Sequence, residues 1–340
     1  MDQLVRSVRQ AGPFAFCGIA VRRGGQDAFY LDGMDGLAAG PDTFWRAASI
    51  SKILTGRAAW RVCRDAGVDV ATPAYEVLGP ALRGPKGQAP TIADLACHAS
   101  GITDAGGYII PPDQPLSDWL DQTGDAIWSG AAVGQQMEYA NLNYVLLARV
   151  VEVVSDMRFD QAVAKSVTTS LNLQAYFNWA GAPVRPDHIA TYRLGDAGFE
   201  AQIDKGAVTA PDVPVGHPHA FAPQGGARIT LTSALEIAST LATHPQDHGW
   251  RDGQGAVLGP DGLFQSYAWG LQIYDDPAFY PHPLRGHFAK AYGMCGGVWS
   301  DPTRDVQFAY VLNGLPMNDE NDALRPEELA IFKTIGDLSN

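Results

Sequence analysis

At 340 residues the chain is long enough for one large domain or two, and 46% hydrophobic residues supply apolar surface for a real core. A net charge of −13, with no run of Lys or Arg to offset it, argues against a nucleic-acid or anionic-membrane partner. No stretch is apolar for long enough to span a bilayer and the N-terminus lacks a signal-peptide pattern, so a cytoplasmic protein is expected, or a periplasmic one if the sequence is a trimmed mature form.

Two short β-rich runs, 14–21 and 27–31, flank Arg23-Gly24-Gly25 and predict a hairpin. The segment from Phe44 to Gly67 then reads as the start and body of a helix, with Ile53, Leu54, Ala58 and Val62 at helical spacing and Gly67 as a stop. Ser49 falls at its N-terminus and Lys52 one turn later on the same face. A serine hydroxyl is a poor nucleophile until something takes its proton, and an amine packed against apolar neighbours loses charge more readily than one in water. Ser49 and Lys52 are therefore candidates for nucleophile and base, against the plainer reading of a capping serine and a solvated lysine. Arg46, beside them, reads as a structural anchor.

Residues 72–90 are rich in Pro and Gly, and 91–101 form a short helix closed by Gly101, with His98 packing or capping that turn. Asn143 to Val154 is a buried helix, and helical character continues over 157–171. Tyr139-Ala140-Asn141 leads into that buried helix. A phenol near an ammonium ionises more easily, so Tyr139 is a candidate proton relay and Asn141 a candidate for orienting a substrate carbonyl. Tyr176-Phe177-Asn178 repeats the pattern, but without the loop-to-helix junction that lets polar groups face a cleft.

Residues 179–225 show little periodicity and read as loops on a cleft rim. A helix is expected over 232–244, strands over 267–274, 292–300 and 306–312, and a closing helix over 326–338 with Pro at its start. Strands at both ends and helices between predict one antiparallel sheet built from the two termini. Gly286 to Gly293 enters a C-terminal strand whose edge, beside a nucleophile, can offer a backbone N–H to an oxyanion.

No Gly-x-Ser-x-Gly elbow is present. His217-Pro218-His219 and His244 with His248 sit beside prolines without acidic or cysteine partners and read as structural rather than zinc-binding. Cys17, Cys63, Cys97 and Cys295 are widely spaced and read as buried, unpaired thiols.

In order and spacing, these three elements resemble the serine β-lactamase and penicillin-binding transpeptidase superfamily, nearest its class C branch and the family VIII carboxylesterases. Phe44 to Lys52 resembles F-R-x-A-S-x-S-K, His98 to Gly101 resembles H-T-S-G, and Tyr139 to Ala148 resembles Y-S-N-x-x-Y-x-L-L-G. Gln224-Gly225-Gly226 with Thr232-Ser233-Ala234, and Trp269-Gly270-Leu271, are similar to further landmarks, so the match spans about residues 14 to 315. The resemblance implies an α/β (α+β) fold: an antiparallel sheet flanked by helices, formed by 1–75 and 220–340, plus a mainly helical and loop region over 76–219, in a single compact unit. It also implies a serine hydrolase acylated at Ser49, with Lys52 and Tyr139 sharing proton transfer and backbone N–H groups of Ser49 and Lys290 holding the oxyanion. Asn141 and His287 would contact substrate, with Phe288 and Ala289 on the same strand. No metal or organic cofactor is implied, and the partner is a small ester or amide.

The third motif departs from the family's Lys-Thr-Gly or His-x-Gly: here it is His287-Phe288-Ala289-Lys290. His287 is mostly neutral at pH 7 if unperturbed and Phe288 has no donor, so the grip on a substrate carboxylate is lost at this motif. The expected activity is therefore that of an esterase or amidase with an uncharged acyl group. The alternatives are a true β-lactamase or D-Ala-D-Ala carboxypeptidase, or an idle binding module in which Phe288 and Ala289 block the oxyanion edge.

Overall fold

The structure, a computed structural model, describes residues 1–12, 14–184, 186–245, 250–251, 266–317 and 324–338. The predicted hairpin is present as β1 (Phe16–Arg23) and β2 (Gln26–Gly33). Short strands follow at β3 (Trp45–Arg46), β4 (Ala175–Phe177), β5 (Tyr192–Gly195), β6 (Gly198–Ala201), β7 (Ala227–Ile229) and β8 (Trp250–Arg251). The C-terminal part adds β9 (Ser266–Ala268), β10 (Leu271–Tyr274), β11 (Leu284–Ala291), β12 (Met294–Asp301), β13 (Val306–Asn313) and β14 (Leu315–Pro316). Among the described residues five α-helices are nine residues or longer: α1 (Asp2–Ala11), α2 (Ser51–Asp65), α3 (Asn141–Ser155), α4 (Leu231–Ser239) and α5 (Pro326–Gly336).

Eight strands form one sheet in the order β2-β1-β13-β12-β11-β10-β9-β8, antiparallel throughout. The termini meet where Phe16 pairs with Asn313 and Arg23 with Val306. β12 and β13 are buried along their whole length, which explains their continuous apolar runs: helices cover both faces. On one face Phe332 of α5 meets Phe288, Trp299, Phe308 and Tyr310. On the other, Leu231 of α4 lies so close to Gly18 that a Cβ there would be 3.0 Å from its Cδ1.

The loop reading of 179–225 missed a hairpin. β5 and β6 pair antiparallel over Tyr192–Ala201, and β5 also pairs with β14, whose two residues lie beside Arg193 and Leu194. A second small sheet, β3-β7-β4, ties the segment before Ser49 to the middle of the chain. The strand expected over 292–300 begins two residues later: Tyr292 (φ +51°) and Gly293 (φ +86°) form the turn between β11 and β12. Two successive positive φ values give the tight hairpin connection that matches sheet twist, and a tyrosine there hides it from the sequence. The helix α1 had no counterpart in the sequence reading; Val5 and Val8 are its buried side.

All four cysteines are buried, and none is in a disulfide. Among the described residues no helix is long and apolar enough to cross a membrane.

Candidate active site

Ser49 lies in a 3-10 turn, Ala48–Ile50, that runs directly into α2. Ala48 has φ +43°, a left-handed conformation that costs an alanine energy and marks a backbone held by its surroundings. Opposite it, the Gln224-Gly225-Gly226 turn needs its second glycine, because a Cβ on Gly226 would stand 2.4 Å from the Phe221 carbonyl oxygen.

Lys52 occupies the first turn of α2 and is fully buried. Its Nζ lies 3.2 Å from Ser49 Oγ, 2.9 Å from Asn141 Oδ1 and 2.9 Å from the Gln224 carbonyl oxygen. Burial pushes its pKa down to about 7, against an opposing pull from the Asp104 carboxylate. Two of the three neighbours are carbonyl oxygens, which only accept. A neutral Lys52 therefore donates its two N–H bonds to Asn141 and Gln224, and its lone pair is left for the Ser49 hydroxyl. That is the arrangement a general base requires.

Asn141 opens α3, and no side chain of its N-cap residue, Ala140, satisfies the first N–H groups. Asp104 does so from a distant loop, accepting from the N–H of Asn141 (2.8 Å) and of Leu142 (2.9 Å) and from Asn141 Nδ2 (3.0 Å). A carboxylate at a helix N-terminus is favoured by the dipole. Since Asp104 accepts and Lys52 donates, the Asn141 amide can point only one way, with one N–H still to offer.

Tyr139 is 40% exposed at the cleft, with its ring centroid 4.7 Å from Lys52 Nζ and 4.4 Å from the His98 ring. His98 holds this segment: its Nδ1 accepts from the Ala140 N–H at 3.2 Å, and its carbonyl accepts from the Glu138 N–H at 2.8 Å. The histidine that closes the 91–101 turn thus positions the tyrosine.

On β11, His287 and Ala289 face the side of Lys52 and Tyr139 while Phe288 faces α5. His287 is buried, with Nε2 3.0 Å from the Tyr267 hydroxyl and Nδ1 against the Phe288 carbonyl. A carbonyl only accepts, so Nδ1 carries the proton and Nε2 accepts from Tyr267. Burial first, then the nearby Lys52 charge, push His287 down to about 3 and keep it neutral. The Phe288 ring packs among Tyr274, Trp299 and Phe332, away from the oxyanion edge. β10 pairs with β11 only as far as Gly286, and beyond that point the Gln272 side chain accepts from the Phe288 N–H at 3.1 Å. By strand alternation the Lys290 N–H is directed to the same side as that of Phe288.

The structure thus brings Ser49, Tyr139, Asn141, His287, Phe288, Ala289 and Lys290 to one cleft of about 580 Å³, with Lys52 beneath it. Sequence reasoning missed Asp104, the Gln224 carbonyl and Gln272, whose roles arise from contacts between distant segments. Among the described residues no group of three or more His, Cys, Asp or Glu side chains can share a metal ion. His217 and His219 are neighbours, with His219 Nε2 on the Pro111 carbonyl; His244 bonds to Arg57 and the Trp269 carbonyl, and His248 lies outside the described residues.

Residues 1–331 match the family model described as Beta-lactamase. No curated protein matches the chain. Among solved structures, the octameric penicillin-binding protein homologue from Pyrococcus abyssi is similar with a TM-score of 0.76 at 19% identity, covering 98% of this chain and 75% of that one. D-amino acid amidase from Ochrobactrum anthropi SV3, complexed with L-phenylalanine amide, gives 0.75 at 15% identity, covering 98% and 96%. A D-stereospecific amidohydrolase from Streptomyces sp. gives 0.71 at 16% identity, covering 97% of each chain. At these identities the structural likeness is one of fold, while the family match spans nearly the whole sequence. The chain belongs to the Beta-lactamase family and has the fold of the serine β-lactamases and penicillin-binding transpeptidases.

Proposed function

We propose that the protein is a serine hydrolase that cleaves small esters or amides through an acyl-enzyme on Ser49. The observation that carries this reading is the environment of Lys52: a buried amine, pushed down to about 7, with two carbonyl acceptors and one hydroxyl around it. In acylation, Ser49 Oγ attacks the substrate carbonyl carbon as its proton passes to Lys52 Nζ. The N–H groups of Ser49 and Lys290 hold the negative charge that forms on the carbonyl oxygen. The tetrahedral species collapses, the bond to the leaving group breaks, and the alcohol or amine leaves with a proton relayed through Tyr139. Water then adds to the acyl carbonyl as it gives a proton to Lys52 and Tyr139; that proton returns to Ser49 Oγ as the acyl C–O bond breaks and the acid departs.

In this reading the cleft lies where the sheet segments, 1–75 and 220–340, meet the helical segment, 76–219: Ser49, Lys52 and His287 belong to the first and Tyr139 and Asn141 to the second. Asn141 and the His287–Ala289 strand then border bound substrate. The packing of the Phe288 ring against α5 supports an active enzyme over an idle module, because the ring does not cover the oxyanion edge. The neutral His287 at the third motif favours ester or amide turnover over β-lactam turnover, and amidases among the structural neighbours agree.

Initial rates on p-nitrophenyl butyrate, D-phenylalanine amide and a chromogenic cephalosporin, with wild type beside Ser49→Ala, test the reading. Serine-dependent turnover of ester or amide with little cephalosporin turnover is expected. Fast cephalosporin turnover would make it a β-lactamase, and rates untouched by Ser49→Ala would overturn the assignment.

A further inference from the structure

Arg46 precedes Ser49 by three residues and lines the same cleft. Its side chain does not anchor anything by hydrogen bonding: the residue is 9% exposed, its Nε has no hydrogen-bond partner, and among the described residues no carboxylate pairs with its guanidinium. What it touches is the Tyr292 ring, 4.9 Å from Cζ to the centroid. Its partner across the β3–β7 pair is a second buried cation, Arg228.

The neighbouring carboxylates are occupied. Asp204 gives both oxygens to Arg228, at 3.0 and 2.8 Å, and accepts from Trp179 Nε1 at 2.9 Å. Asp104 caps α3, and Glu328 accepts from the Tyr310 hydroxyl at 2.8 Å and the Arg325 N–H at 3.1 Å. Asp204 is thus bonded to Arg228, and the Arg46 guanidinium lines the cleft with no carboxylate of its own among the described residues. Desolvation, then Arg228, push Arg46 down to about 10, so it is still a cation at neutral pH. An uncompensated buried charge is costly, and a guanidinium presents a planar fork that matches a carboxylate.

Its position complements the third motif. His287, neutral, stands midway along β11, and Tyr292, under Arg46, follows the end of the strand, with Lys290 between them. We propose that Arg46 anchors a carboxylate of the substrate, on the Tyr292 side of Ser49, so that the preferred ester or amide is an anion. This replaces the uncharged acyl group expected from the third motif alone. The catalytic part rests on Ser49 being the nucleophile; the binding part does not. The carboxylate can belong to the acyl portion, as in a half-ester of a dicarboxylic acid, or to the leaving group, as in an amide made with an amino acid.

Calorimetric titration of Ser49→Ala protein with glutarate and with glutaramide tests binding without turnover. Glutarate is expected to bind at least tenfold tighter than glutaramide. Arg46→Gln in the same background is expected to erase that preference and Arg46→Lys to keep part of it. Equal binding of the two probes overturns the proposal, as does glutarate binding that survives Arg46→Gln but is lost in Lys290→Ala. If Arg46→Gln fails to fold by circular dichroism, the glutarate preference and its partial retention in Arg46→Lys decide. Rates of the Arg46-containing enzyme then locate the charge. Preference for p-nitrophenyl hydrogen glutarate over p-nitrophenyl butyrate marks the acyl side, and preference for 3-butanoyloxybenzoate over phenyl butyrate marks the leaving side. Absence of both preferences overturns the anionic-substrate proposal, and rates unchanged by Ser49→Ala refute the nucleophile assignment while leaving the binding result standing.

Discussion

In the proposed mechanism Lys52 has to shed a proton before it can accept one from Ser49, and its surroundings set the pH at which it does. With Nζ pushed down to about 7, the rate constant for acylation is expected to rise about tenfold per pH unit below that value and to level off above it. A pH profile flat from about 5 to 9 would remove Lys52 as the base. The same shift has a stability signature. The folded-state value lies below the unfolded one of about 10.4, so between the two the unfolded chain binds the extra proton and stability rises with pH. The slope is at most about 1.4 kcal/mol per pH unit. Denaturant unfolding of wild type beside Lys52→Met at pH 7, 8 and 9 isolates this contribution, because the variant lacks that increment. Asp104 acts one contact further out. Asp104→Ala removes the cap of α3 and frees the Asn141 amide, with an expected cost of about 1–2 kcal/mol in stability. If its role is positioning, kcat falls and the pH midpoint set by Lys52 moves downward, because the carboxylate that favours the ammonium is gone; a loss confined to stability would make Asp104 a cap alone.

At the scale of the elements, α2 carries Lys52 and lies almost in contact with the backbone of the β9–β10 turn. A Cβ on Gly56 would stand 2.0 Å from the Trp269 carbonyl oxygen, and one on Gly270 (φ +86°) would stand 2.2 Å from the Lys52 carbonyl oxygen. Gly56→Ala would stabilise an isolated helix by about 1 kcal/mol. Here the backbone has to move, and a net loss of about 1–3 kcal/mol is expected in thermal or denaturant unfolding. An unchanged or raised midpoint would mean that the helix can slide on the turn. Elements of this kind differ in how well the sequence announces them. Ser49 and Lys52 were legible because they are one helical turn apart, and α3 because its apolar run is long. β11 was half legible: buried residues on both faces erase the alternation, and its turn uses Tyr292 where Asn or Gly would have signalled a hairpin. The β5–β6 hairpin carries no strand signal in the sequence because all eight of its residues are only partly buried or exposed and its pairing partner, β14, lies more than a hundred residues away.

Over the whole molecule, the two termini close one antiparallel sheet and the cleft opens where it meets α2 and α3. The sequence announced the sheet and the closeness of Ser49 and Lys52, but not the groups that surround Lys52. Lys52 meets Asn141 across 89 residues and the Gln224 carbonyl across 172, and no local pattern encodes such contacts. Arg46 shows the same limit in reverse: its residue type is plain, but only the folded arrangement reveals that Asp204 is already taken by Arg228. The fold and the proposed nucleophile therefore follow from periodicity and motif spacing, whereas the partners of each charge in the cleft follow from the tertiary structure.

Labelling with a fluorophosphonate probe at pH 7, read by intact mass and peptide mapping, tests the central claim most directly. Wild type is expected to take one adduct, on Ser49; Ser49→Ala is expected to take none; and Lys52→Ala is expected to lose labelling while keeping its circular dichroism spectrum. An adduct on another residue, or Lys52→Ala labelled as fast as wild type, would contradict the account.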